Sequence, residues 1–98
     1  MTSAITQGFL ASLNATLKPI TDERLANTPH TVSEPGLTRA DLGDEAFEAA
    51  MEQRRVWIRE NCESDVLPEP LRQNGRLIGR LYRFEDPNVA FFFKLRFG

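Results

Sequence analysis

Ninety-eight residues, 41% of them hydrophobic and 27% charged, are enough for one domain around one core and exclude both wholesale disorder and a multidomain chain. The single cysteine, Cys62, excludes an intramolecular disulfide, and a formal net charge of −2 is a poor match to a polyanionic partner. That balance is uneven: residues 1–65 carry six basic and eleven acidic side chains, whereas residues 66–98 carry six basic and three acidic. No run approaches the ~20 apolar residues of a membrane span. The opening stretch MTSAITQGFLASLNATLKP has no basic residue ahead of its apolar part. It is not expected to be a signal peptide, so a cytoplasmic protein without membrane contact is expected.

The first expected element is a helix over residues 4–17. Ile5, Phe9, Leu13 and Leu17 recur every four residues on one face, and Pro19 ends it. Residues 20–37, with Pro29, Pro35 and Gly36, read as a connector containing one short turn capped by Thr21. Within it Thr31-Val32-Ser33 is a weak candidate for an extra strand. A second helix is expected over residues 39–63, where Thr38 and Asp41 resemble a capping box. Asp41, Glu45, Glu48, Glu52, Arg55 and Arg59 fall on one charged stripe, with Leu42, Phe47, Met51, Trp57 and Ile58 on the opposite side. Arg54 lies inside that apolar arc. It either snorkels to the edge or is buried against a carboxylate from the connector, with Asp22 and Glu23 the obvious candidates.

After a proline-marked link over residues 64–70, the remainder reads as an antiparallel β-hairpin with strands over residues 76–83 and 89–97. Alternation puts Val89, Phe91, Phe93, Leu95 and Phe97 on the core face. A five-residue loop adds Leu77, Gly79 and Leu81 to that face and keeps Arg80 out of the core. The outer face then carries Arg76, Arg80, Tyr82, Phe92, Lys94 and Arg96. The expected fold is a single α+β domain, residues 1–98, with two main helices packed on one face of this hairpin. Helix, short helix, helix, hairpin is superficially the order of a winged helix, but the second main helix is too long and acidic to enter a phosphate-lined groove.

Motifs for catalysis or cofactors are lacking: there is no Walker loop, GxGxxG, GxSxG or HExxH. His30 and Cys62 are each unique, too few for a zinc site, and no flanking motif makes them a nucleophilic pair. The expectation is therefore a non-enzyme without metal or cofactor. Its expected role is a protein-interaction or regulatory module of accessory, inhibitor or phage and mobile-element type. The working surface is the edge or outer face of the hairpin, the residues are Arg76, Arg80, Tyr82, Phe92, Lys94 and Arg96, and a homodimer is one outcome. The alternative is nucleic-acid binding through the same basic and aromatic residues. The acidic helix stripe reads as a solvated face laced with charge pairs.

Overall fold

The computed structural model describes residues 20–98; the helix expected over residues 4–17 lies outside them. The described chain is α+β. In order it forms α1 (Asp22–Asn27), β1 (His30–Pro35), α2 (Arg39–Leu42), α3 (Asp44–Asn61), β2 (Val66–Gln73), β3 (Arg76–Phe84) and α4 (Pro87–Phe97). The three strands form an antiparallel sheet in the order β1-β3-β2. The sheet therefore sits in the middle of the chain, and a helix follows it.

Local chemistry explains each element. Thr21 caps α1 by accepting from the Arg24 amide at 3.1 Å. The Thr38 hydroxyl accepts from the Asp41 amide at 3.0 Å and donates to the Asp41 carboxylate at 2.9 Å, which starts α2 as expected. Gly43, at φ 84°, then separates α2 from α3, so the single helix expected over residues 39–63 is two helices, the second ending at Asn61. That left-handed conformation suits glycine, which has no Cβ to clash with the following carbonyl. The weak strand candidate at residues 31–33 is the centre of β1. The expected connector 20–37 therefore contains a helix and a strand.

The hairpin also differs from expectation. Its strands are β2 and β3, joined by Asn74 and Gly75, both at positive φ. Two consecutive positive-φ residues make the tight two-residue turn whose twist matches the strands, and Asn-Gly is its preferred sequence. β2 is an edge strand, which is where Pro68 and Pro70 are tolerated, because an edge does not need every N–H in a ladder.

Residues 89–97 are not a strand. Asp86 accepts from the Asn88 amide at 2.8 Å and Pro87 occupies the first turn, a regular helix start that launches α4. The expected alternation of Val89, Phe91, Phe93, Leu95 and Phe97 is replaced by helical spacing. Ala90 and Phe93 are buried and Phe97 is half-buried on the inner side.

The core lies between one face of the sheet and helices α3 and α4. Phe84 and Phe93 are fully buried and Tyr82 nearly so, packed with Val32, Leu37, Met51 and Ala90. Phe93 is central: its ring lies 4.8 Å from Tyr82, 4.9 Å from Phe97, 5.1 Å from Phe84 and 5.6 Å from Trp57, centroid to centroid. These spacings suit tilted and edge-to-face aromatic pairs. Trp57 and Phe47 are half-buried at the margin of this cluster, and the charged stripe of α3 is exposed.

Candidate interaction surface on the last helix

The six residues expected on one hairpin face are distributed over three environments. Tyr82 belongs to the core, 2% exposed, with its hydroxyl 3.8 Å from the Met51 sulfur. Burial pushes the Tyr82 phenol above its ordinary pKa, the nearby positive charge of Arg80 opposing this in part. Arg80 is half-buried on the same sheet face, directly across from Glu34 of β1, and its Nε is buried without a hydrogen-bond partner. Arg76 is exposed beside the Asn74-Gly75 turn. Phe92, Lys94 and Arg96 are exposed on α4. The physical reason is register. Tyr82 and Phe84 point inward together with Arg80, so the face expected to be outer is the inner one.

What the structure does bring together lies on the outer side of α4. Phe91, Phe92 and Leu95 keep 59%, 57% and 68% of their surface exposed, while Ala90 and Phe93 one residue away are 7% and 0% exposed. At 100° per residue Phe91, Phe92 and Leu95 form a single strip, opposite the side that Ala90, Phe93 and Phe97 use to hold the sheet. The Phe91 and Phe92 rings meet edge to face, 5.7 Å between centroids. Fully burying one such side chain is worth roughly 1.5–3 kcal/mol, so covering three that are more than half exposed would favour a complex by several kcal/mol.

Charge is graded along this helix. Lys94 and Arg96 lie in its last turn on either flank of the strip, with Arg96 over the Phe97 ring at 4.8 Å. At its start, Glu60, Glu63 and Asp86 surround a shallow hollow with Val89, and Glu85 precedes the cap. None of Glu60, Glu63, Glu85, Asp86, Lys94 or Arg96 is in an ion pair among the described residues. By contrast two acids of the α3 stripe have basic partners: Glu48 pairs with Arg39 of α2, which also reaches Asp44, and Glu52 pairs with Arg55.

Phe91 and Leu95 escaped the sequence reading because strand alternation assigned them to the core. The Asp86-Pro87 start signal, followed by apolar residues at both helical and strand spacing, was the available clue. Cys62 donates to the Ser64 carbonyl at 3.2 Å, and no hydrogen bond joins it to His30 among the described residues. Among those residues no cluster of histidine, cysteine and carboxylates is arranged to hold a metal ion, and no helix is long and apolar enough to cross a membrane. Compared with protein-family models, curated proteins and solved structures, the chain finds no match.

Proposed function

We propose that the protein is a small non-enzymatic interaction module, an accessory or inhibitory component of the cytoplasm, which docks another protein through the outer side of α4. The observation that carries this reading is the adjacency of Phe91, Phe92 and Leu95, all more than half exposed, on a helix whose other side is anchored in the core. Contiguous apolar surface rimmed by charge is the usual mark of a protein contact. The anchor matters as much as the patch. Phe93 is fixed among four aromatic rings, so the patch is presented rigidly and little conformational entropy is lost on binding. The surface differs from the hairpin face inferred from sequence, and Phe92, Lys94 and Arg96 are common to both.

A photo-crosslinking side chain placed at Phe92 in the native host tests this, with the same group at Glu48 on the exposed stripe of α3 as the control. Discrete protein adducts from position 92 and none from position 48 are expected. Nucleic-acid adducts at position 92, or no adducts there, would overturn the reading.

A further inference from the structure

The partner's chemistry follows from the charge order along α4. The apolar strip is flanked at one end by two cations, Lys94 and Arg96. At the other end stand acids from three segments, Glu60 in the last turn of α3, Glu63 in the link after it and Asp86 at the cap of α4. None of these charges finds an opposite partner within the described residues of the monomer. Within one chain this order complements the helix dipole, which accounts for the charges but not for the exposed rings between them. A partner surface that satisfies both must be apolar at its centre, acidic where this one is basic, and basic where this one is acidic.

A second copy, turned end for end, meets that description. We infer that the protein self-associates by packing α4 antiparallel against α4 of a second copy about a two-fold axis near Phe91 and Phe92, an inference that rests on α4 being the docking surface. The helix is about 16 Å long at 1.5 Å per residue. With the axis between Phe91 and Phe92, residues 94–96 of one copy lie beside residues 87–89 of the other. Phe91 and Phe92 meet their counterparts at the centre, Leu95 faces Asn88, and the Lys94 and Arg96 end meets the Asp86, Glu60 and Glu63 end twice over. Two-fold symmetry makes each contact occur in duplicate. A parallel arrangement would instead set cations against cations and acids against acids. An anionic membrane meets the basic end but is repelled by the acidic one.

The surface also sets the strength. Phe91, Phe92 and Leu95 together supply roughly 300 Å² per copy, taking each exposed large side chain as ~100 Å². A standard stable interface needs ~800 Å² per partner. The remainder has to come from the flanks, including the groove beside Arg96, which Glu52, Gln53, Val56, Trp57 and Glu60 line. The dimer is therefore a weak one, formed at micromolar concentration and above rather than permanent.

Sedimentation of the full chain over a wide concentration range reads the outcome directly. Wild type should shift from 11.1 kDa towards twice that mass as concentration rises. Phe92→Glu should remain monomeric, with circular dichroism unchanged because the side chain is exposed. Lys94→Glu/Arg96→Glu makes both ends of the strip acidic, and Glu60→Lys/Glu63→Lys makes both ends basic. Each should weaken self-association by about tenfold, the equivalent of ~1.4 kcal/mol. Mixing the two charge variants should restore a dimer containing one copy of each. Wild type that stays monomeric throughout overturns the second copy as partner, and adducts to a different protein at position 92 would then leave the docking surface standing. A wild-type dimer that survives Phe92→Glu places self-association elsewhere. A dimer lost in Phe92→Glu but not recovered on mixing the charge variants overturns the antiparallel order.

Discussion

Arg54 grips the Glu34 carboxylate with two nitrogens, Nε at 2.9 and 3.0 Å from the two carboxylate oxygens and Nη2 at 2.6 Å from one of them. The side chains are only 10% and 8% exposed. The remaining guanidinium nitrogen, Nη1, donates to the Ala50 carbonyl at 2.9 Å, and the Phe97 ring lies 4.5 Å beneath the charge. One arginine thus joins α3 to β1 and touches α4. The fork geometry is what makes burial tolerable, since each charge is both neutralised and hydrogen-bonded.

Removing one partner leaves the other charge desolvated. Arg54→Met alone should cost on the order of 3–5 kcal/mol. The double replacement Glu34→Leu/Arg54→Met should cost much less than the sum of the two single changes. Urea unfolding of the three variants checks this; additive costs would mean the pair is not coupled.

Phe93 and Phe91 are two residues apart on one helix and should behave oppositely. Phe93→Ala removes the ring that contacts Tyr82, Phe84, Trp57 and Phe97 and should cost roughly 3–5 kcal/mol. Phe91→Ala should change monomer stability by no more than about 0.5 kcal/mol, because the ring is largely in water. Thermal melts at low concentration, where association does not contribute, compare them. A strand in this position would give both rings the same burial and similar costs.

At Gly79, paired with Pro35, the backbone of β1 leaves no room for a side chain on β3. A Cβ placed there would lie 2.2 Å from the Glu34 carbonyl oxygen and 2.9 Å from the Pro35 Cα. Both are backbone atoms that cannot swing aside. Gly79→Ala should therefore force the β1–β3 pairing apart and cost about 1–3 kcal/mol. Amide hydrogen exchange should show lost protection in β1 before β2.

Tyr82 supplies a pH signature. Its phenol pKa is raised above the ordinary value of 10.0, burial being the largest cause. The native state holds the proton more tightly than the unfolded chain does, so the associated stability is fully present below the ordinary pKa. It is lost as pH rises through the higher native value. The chain has one tyrosine, so phenolate absorbance reports this group alone. Ionisation should be displaced to higher pH in the folded protein and return to the ordinary range in denaturant.

The α+β class of the fold was open to sequence reasoning wherever a local signal stood alone. Thr38 and Asp41 start a helix through side-chain to backbone bonds that need no distant partner. The α3 stripe is exposed because its own period separates charge from hydrocarbon. Asn74-Gly75 and Asp86-Pro87 are equally local, and they mark the true hairpin turn and the true start of α4. The strand reading of residues 89–97 overrode both, since a run of phenylalanines satisfies a period of 2 and a period of 3.6 alike.

By itself, then, the sequence determined the class of fold, the exposed charged face of α3, and an arginine within an apolar arc that had either to reach water or to find a carboxylate. Tertiary structure alone decided that the carboxylate is Glu34 of β1 rather than an acid in α1. It also decided that Tyr82 faces inward and that Phe93, not Phe91, enters the core. Local periodicity defines which side chains share a face, but which face meets the sheet depends on partners far apart in the chain. Here those partners are Trp57 of α3 together with Tyr82 and Phe84 of β3, whose rings hold Phe93 and so leave Phe91, Phe92 and Leu95 in water.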